Sequence, residues 1–200
     1  MGDTPLSDDL LIGRIAAGDR DAFAELYRRH RTDICRFAAH MCGSATLAED
    51  IVHEAFVAVI DSAARYRPGQ TVAKLWLLGI ARNHARRARA VRPTLSLNDE
   101  EAKAGALAFV VAPDPIGDID RKRHVDALRR ALACLPVRYR EAVVLCDLHE
   151  LSYADAAAAL GCALGTVRSR LHRGRAQLAR RLCPGPAEHP CPLPVTRTTS

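Results

Sequence analysis

Residues 151–182 constrain the fold of this 200-residue chain more than any other stretch, because they carry the pattern of two helices joined by a tight turn. Ser152 can cap a first, alanine-rich helix, with Asp155 three residues later in the capping-box position. Gly161 is expected to end that helix, since glycine readily adopts the left-handed conformation found at helix C-termini. A second helix is predicted to start near Gly165. This pattern predicts a helix-turn-helix.

The second helix of this motif has an apolar face and a basic, polar face. At about 100° per residue, the apolar positions fall on one side; these positions are Val167, Leu171, Gly174 and Leu178. The other side and its flanks carry Thr166, Arg168, Ser169, Arg170, His172 and Arg173. Arginine can pair bidentately with guanine, and Ser or Thr can bond base edges or phosphates, so the pattern indicates major-groove reading. The alternative is an amphipathic helix with a merely solvated basic face, which the preceding capped helix disfavours.

Positive charge is concentrated in two segments of the chain. The formal net charge is +6, and the isoelectric point is near 9.2. Leu164–Leu182 holds six arginines and Arg82–Arg92 holds five, and neither segment contains an acidic residue. Clustered charge of one sign indicates a polyanionic partner more than a uniformly basic surface does. We therefore expect the chain to bind nucleic acid through both segments.

Apolar periodicity and helix-breaking residues predict an all-α fold with two helical domains. Residues 8–91 are predicted to form four helices. Residues 92–118 are acidic and interrupted by proline and glycine, which predicts a flexible linker. Residues 119–182 are predicted to form a second helical domain that contains the helix-turn-helix. Residues 183–200 hold five of the eleven prolines, which predicts a disordered tail.

Several classes of protein are disfavoured by what the sequence lacks. It has no apolar run long enough to span a membrane and no secretory signal pattern, so we expect a cytoplasmic protein with no membrane insertion of its own. It has no triad-like spacing, phosphate-binding loop or paired-histidine motif, so we expect neither enzymatic activity nor catalytic residues. No cofactor is predicted.

The cysteines do not suggest a disulfide framework. There are seven, an odd number, and most lie within predicted helices. In a reducing compartment, such cysteines are usually small buried residues. Cys183, His189 and Cys191 lie close together in the tail, but a structural zinc site normally takes four ligands. We therefore predict no metal site, and the sequence leaves a metal or redox role of this tail open.

Two separated blocks of the sequence resemble bacterial RNA polymerase sigma factors of the extracytoplasmic-function (ECF) class, within the sigma-70 family. The first block comprises residues 48–56 together with Trp76-Leu77 and residues 80–83. The second comprises Leu135-Pro136, Arg140-Glu141, residues 151–153 and residues 165–173. Two such blocks in this order, joined by an acidic linker, are more specific than either block alone.

The resemblance implies a DNA-binding role for both blocks. The stretch 62–90 would capture the melted −10 promoter element, where a basic track contacts phosphates and polar groups contact extruded bases; the implied residues are Lys74, Arg82, Asn83, Arg86 and Arg87. The helix-turn-helix would read the −35 element, and the implied residues are Thr166, Arg168, Ser169, Arg170 and Arg173. Trp76 could stack on a base, but its place in an apolar helical period favours a core position.

The resemblance also implies protein partners. The helix around residues 46–61 would dock on core RNA polymerase, with Asp50, His53 and Glu54 as contacts. Judged from the residues alone, these side chains would be a solvated helix face. Family members are commonly held inactive by an anti-sigma factor, so such a partner is implied here too. The competing hypothesis is a stand-alone helix-turn-helix regulator, which would need neither this acidic helix nor the basic segment 82–92.

Overall fold

The computed structural model describes residues 6–91 and 118–182, and every regular element in these two ranges is helical. The N-terminal unit, residues 6–91, contains α1 (Asp8–Ala16), α2 (Arg20–Cys42), α3 (Ala45–Ser62), a 3-10 turn (Ala63–Arg65) and α4 (Ala73–Val91). The C-terminal unit, residues 118–182, contains α5 (Asp118–Ala133), α6 (Val137–Val143), a π-helical turn (Val144–Leu148), α7 (Tyr153–Leu160) and α8 (Leu164–Leu182). The predicted all-α fold with a helix-turn-helix is confirmed. The predicted tail, and the predicted linker except for Asp118, lie outside the described residues.

Local chemistry sets the ends of the N-terminal helices. Ser7, Asp19 and Ser44 cap α1, α2 and α3, because each side-chain oxygen accepts a hydrogen bond from a backbone N–H of the first turn. Gly43 ends α2 in the left-handed conformation, with φ of 74°.

The core of the N-terminal unit lies where α2, α3 and α4 meet, and α1 packs across α2. Its buried residues include Leu26, Phe37 and Val59. Leu10 of α1 is 58% exposed, whereas Ile12 is fully buried. The reason is geometric, because the buried face of this short helix passes through Leu11, Ile12 and Ile15 and leaves Leu10 outside.

The two units pack against each other, which the sequence did not predict. Helix α4 contacts α7, and α2 contacts α5, α6 and the π-helical turn. Buried apolar residues of both units form one hydrophobic cluster. The backbone oxygen of Met41, at the end of α2, accepts hydrogen bonds from Arg140 of the C-terminal unit at 2.6 Å and from Arg89 of α4 at 3.1 Å. Both apolar and polar contacts therefore fix the relative position of the units.

Within residues 6–91 and 118–182, the search for membrane-spanning segments found no helix that is both long enough and apolar enough to cross a bilayer.

Candidate nucleic-acid interface

The helix-turn-helix is formed by α7 and α8. The Ser152 hydroxyl oxygen accepts a hydrogen bond from the Asp155 N–H at 3.1 Å and donates to the Asp155 carboxylate at 2.7 Å. Gly161 ends α7 in the left-handed conformation, with φ of 61°. Helix α8 follows, and its buried residues are Val167, Leu171, Gly174 and Leu178. The cap, the turn and the buried face of α8 are therefore those predicted from the sequence.

Gly174 lets α8 lie unusually close to α6. A Cβ atom at this position would lie 2.7 Å from Val143 Cγ2 and 3.2 Å from the Tyr139 backbone oxygen. The first distance is shorter than real Cβ contacts allow, so a side chain here would force the two helices apart. The position of the recognition helix therefore depends on a residue without a side chain.

The five residues predicted to read the −35 element lie outside this buried stripe. Arg168, Ser169 and Arg173 are exposed, and Thr166 and Arg170 are half-buried. The Arg168 guanidinium lies 5.9 Å from the centroid of the Tyr153 ring, within range of a cation–π contact. Hydrogen bonds from Arg173 and Arg138 lower the pKa of the Tyr139 hydroxyl. Packing therefore presents a basic helix face whose arginines are partly oriented by tyrosines.

Arg175 differs from the other arginines of α8 because it is engaged by an acid of its own unit. Its guanidinium pairs with the Asp147 carboxylate at 2.5 Å. The hydrogen bond to Asp147 raises the pKa of Arg175 above its usual value. This pair lies on the protein surface, where Arg175 remains exposed.

The residues predicted to bind the −10 element lie on α4 in different environments. Asn83 and Arg87 are exposed. Lys74 pairs with Asp33 of α2 at 2.7 Å. Arg82 and Arg86 both contact Glu141 of the C-terminal unit, but Arg82 is 13% exposed whereas Arg86 is 45% exposed. The structure therefore brings all five residues to one helix but leaves two of them directed at another part of the protein.

Glu141 is the acidic centre of this contact. Its side chain is 0% exposed, and its Oε1 atom lies 2.8 Å from Arg82 Nε and 2.7 Å from Arg86 Nε. The Arg86 Nη2 atom also donates to Glu141 Oε2 at 3.2 Å. A buried carboxylate without partners would be strongly destabilising, and the two guanidiniums compensate its charge.

Sequence reasoning treated Glu141 only as part of a motif and missed its contact. A signal was present, since Glu141 is four residues from both Val137 and Leu145 and so lies on an apolar helix face. A carboxylate on such a face needs a cation, but the sequence does not identify which one.

The loop between α3 and α4 is anchored to the N-terminal unit by aromatic residues. The Tyr66 hydroxyl lies 2.6 Å from Asp9 Oδ1 and 2.8 Å from the Thr71 backbone oxygen. Burial, together with the Asp9 carboxylate, raises the pKa of Tyr66 above its usual value. Trp76 packs against the core with its ring centroid 5.0 Å from that of Tyr66. Its side chain is half-buried and packs on the edge of the core.

The residues predicted to contact polymerase form one exposed face of α3. Asp50, His53 and Glu54 are all exposed and follow the helical spacing of a single face. Val57 and Ile60 continue this face and are 43% and 51% exposed. The surface therefore combines acidic groups with apolar groups, as protein–protein contacts often do.

Within residues 6–91 and 118–182, no group of three or more His, Cys, Asp or Glu side chains is arranged to hold a metal ion. Cys183, His189 and Cys191 lie outside these ranges, so the prediction about the tail stays a prediction. Burial raises the pKa of the Cys42 thiol to about 11, which makes it a poor nucleophile.

Comparison with known proteins identifies both units. Residues 26–92 match Sigma-70 region 2, and residues 126–178 match Sigma-70, region 4. The ECF RNA polymerase sigma factor SigM of Mycobacterium tuberculosis is 38% identical over 183 residues, which are 88% of this chain and 85% of that protein. This chain belongs to the ECF sigma factors. The resemblance seen in the sequence is therefore confirmed.

Two further comparisons agree with this family. The ECF RNA polymerase sigma factor SigE of Mycolicibacterium smegmatis is 38% identical over 82% of this chain, which spans 63% of the length of that relative. The solved structure of the sigma factor RpoE with the anti-sigma factor NepR from Bartonella quintana is 27% identical, with a TM-score of 0.61. That match covers 80% of this ECF sigma factor and 96% of the RpoE chain.

ECF sigma factors are non-catalytic subunits for promoter-specific transcription initiation, and this chain is one of them. The competing hypothesis of a stand-alone helix-turn-helix regulator is not favoured, because both the region 2 and the region 4 matches are those of sigma factors.

Proposed function

We propose that this ECF sigma factor directs RNA polymerase to promoters through three separate surfaces. In this proposal α3 docks on core polymerase, α4 captures the melted −10 element, and α8 reads the −35 element. Two DNA-binding surfaces of modest affinity gain avidity when polymerase holds them at a fixed separation. The observation that carries the proposal is the exposed arginine face of α8 on a capped helix-turn-helix, within a chain that also matches region 2.

We propose the domain limits that the sequence suggests. Residues 8–91 act as the region 2 domain and residues 119–182 as the region 4 domain. Residues 92–118 act as the connecting linker, and residues 183–200 as the tail. The matches at 26–92 and 126–178 support the two domains and overlap most of each proposed range.

On the −35 element, α8 enters the major groove. Arg170 and Arg173 pair with base edges, where a guanidinium can contact guanine through two hydrogen bonds. Thr166 and Ser169 contact base edges or phosphates, and Arg168 contacts phosphates. Support comes from their common position outside the buried stripe of α8.

On the −10 element, α4 binds the displaced strand after the duplex opens. Lys74, Arg82, Arg86 and Arg87 contact phosphates, and Asn83 contacts a base edge, since its amide both donates and accepts hydrogen bonds. Capture of unstacked bases would keep the duplex open without an external source of energy. Support comes from the placement of all five residues along one helix.

On core polymerase, Asp50, His53 and Glu54 contact a basic surface, and the exposed Val57 and Ile60 add apolar contact area. The protein acts in the cytoplasm, where polymerase is found, and it has no catalytic residue of its own. The RpoE structure includes an anti-sigma factor, which supports a regulatory partner of that kind for this chain.

In vitro transcription with core RNA polymerase and a library of random promoters tests this proposal. We expect transcripts from a subset of templates with related −35 and −10 sequences. Asp50→Arg should weaken core binding about tenfold, because it places like charges opposite each other. Asp21→Arg, at an exposed position of α2, makes the same charge change elsewhere and should leave core binding unchanged. Tight binding to a DNA duplex without polymerase, and no transcripts with it, would contradict the proposal.

A further inference from the structure

We propose that Asp9 and Tyr66 are positioning residues for capture of the −10 element, and that they act by tying α1 to the loop that leads into α4. The Tyr66 hydroxyl links the Asp9 carboxylate of α1 to the Thr71 backbone oxygen at the end of this loop. The inference rests on the proposed function in one respect, which is the assignment of α4 to the displaced DNA strand. Neither residue is among those proposed to touch DNA.

The first argument is the geometry of the Tyr66 hydroxyl. Its oxygen lies 2.6 Å from Asp9 Oδ1 and 2.8 Å from the Thr71 backbone oxygen, so its one proton lies between two acceptors. Tyr66 is only 7% exposed. A hydrogen bond to a carboxylate is stronger than one between neutral groups, and burial strengthens it further. The loop is therefore held at its base by a strong contact with another helix.

The second argument is what this contact holds in place. Tyr66 and Thr71 flank a turn in which the Gln70 N–H donates to the Arg67 backbone oxygen at 3.2 Å. Residues 67–70 of this turn are all exposed. An exposed turn loses conformational entropy when a bound strand orders it, unless the protein has already fixed it. The Tyr66 hydroxyl closes the turn at its base and so reduces that loss.

The third argument connects the turn to α4. The Val72 backbone oxygen accepts hydrogen bonds from the N–H groups of Leu75 and Trp76, at 2.9 and 3.1 Å. The first turn of α4 is therefore formed directly after Thr71. Lys74, one of the proposed phosphate contacts, lies in this first turn. Holding Thr71 in place therefore also fixes the end of α4 that carries Lys74.

The fourth argument is that Asp9 lies on a helix that is itself fixed. The neighbouring Asp8 carboxylate lies 3.0 Å from Arg29 Nη1 and 2.7 Å from His30 Nε2, both on α2. The Leu6 backbone oxygen also accepts a hydrogen bond from Arg29 at 2.6 Å. The match to Sigma-70 region 2 begins only at residue 26. Helix α1 therefore supports a loop of region 2 from outside the matched residues.

Promoter opening by the holoenzyme tests the proposal, with the full chain, core polymerase and one promoter selected from the random library. Tyr66→Phe removes the hydroxyl and keeps the ring that packs on Trp76. We expect the rate of opening to fall about fivefold, because the loop must then be ordered during capture. Permanganate reactivity of thymines in the −10 segment measures this rate. Binding of the duplex before opening, and affinity for core polymerase, should stay within about twofold of wild type, since their contacts lie elsewhere.

Variants of Asp9 supply the matched comparison. Asp9→Ala should slow opening about as much as Tyr66→Phe, and the double variant should be no slower than either, because both changes break one contact. Asp9→Asn keeps an oxygen that can accept from the Tyr66 hydroxyl, so it should keep most of the wild-type rate. Asp21→Ala, at an exposed position of α2, removes the same charge elsewhere and should open promoters like wild type.

Equal opening rates for wild type, Tyr66→Phe and Asp9→Ala would overturn the proposal. Parallel losses in opening, duplex binding and core affinity would also overturn it, because they would show a general loss of folding. Asp9→Ala keeps the test decisive if Tyr66→Phe folds poorly, since slow opening that Asp9→Asn does not share identifies the hydrogen bond as the cause. Failure of the sigma-factor function itself is separate, since wild-type protein would then give neither opening nor transcripts with core polymerase.

Discussion

Helices α4 and α8 are both 19 residues long and rich in arginine, but their arginines meet different acidic partners in the tertiary structure. Asp147 engages Arg175 at the surface of α8 and leaves Arg168 and Arg173 exposed. Glu141 engages Arg82 and Arg86 of α4 from a fully buried position. The comparison teaches that tertiary packing, and not the arginine content of a helix, decides which guanidiniums pair with an acid.

The largest effect is expected where α8 depends on close packing. Gly174→Val should lower the free energy of unfolding of the C-terminal unit by about 3 kcal/mol, because the added atoms overlap Val143 and the Tyr139 backbone. Urea unfolding monitored by circular dichroism measures this change. Gly165→Val is the matched control on α8, since a Cβ there meets nothing within 4 Å. Equal losses in both variants would show that the close approach is unimportant.

The next largest effect tests DNA reading by α8 without changing polymerase binding. Arg173→Ala should reduce transcription from −35-dependent promoters about tenfold, because one base-edge contact is lost. Arg180→Ala, in the exposed last turn of the same helix, should change transcription little. Affinity for core polymerase should be the same for both variants. Unchanged transcription with Arg173→Ala would contradict the placement of the recognition face.

A smaller effect compares neighbouring arginines of α4. Arg86→Ala should lower the free energy of unfolding by about 1–2 kcal/mol, because the buried Glu141 loses one of its two charged partners. Arg87→Ala should change it by about 0.5 kcal/mol or less, since Arg87 is exposed. Thermal unfolding of the two variants measures the difference. Equal melting temperatures would mean that the Arg86–Glu141 pair contributes nothing to the stability of the fold.

The smallest effect concerns pH. Burial is the main reason that the pKa of both His40 and His149 falls from 6.5 to about 4. The positive charges of Arg36 and Arg129 also lower the pKa of His40. At His149, Lys74 and Arg36 lower the pKa and Asp33 raises it. As pH falls below 6.5, unfolded molecules bind protons that the folded state does not, so the folded state loses stability progressively down to about pH 4. Between pH 7.5 and 6.5 we expect a loss of about 1 kcal/mol or less.

Urea unfolding at several pH values measures this loss, and His149→Ala provides the control. Removing one of the two histidines should flatten the dependence on pH. An identical pH dependence in wild type and His149→Ala would contradict the assignment to His149.

The helices and the recognition face could be predicted from the sequence because their causes are local. Ser152, Gly161 and the spacing of Val167, Leu171 and Leu178 act within a few residues, so α7, the turn and the buried face of α8 were all predicted. The exposed acids of α3 were predicted for the same reason.

By itself, the sequence determined an all-α chain with a helix-turn-helix and two arginine-rich segments, because caps, breakers and apolar periods act over one or two turns. Only the tertiary structure decided which arginines pair with an acid and which acid each one meets. Glu141 is 59 residues from Arg82 and 55 from Arg86, and periodicity within a helix carries no information about partners at such separations. The buried carboxylate required cations, and the packing of α4 on the C-terminal unit supplied them.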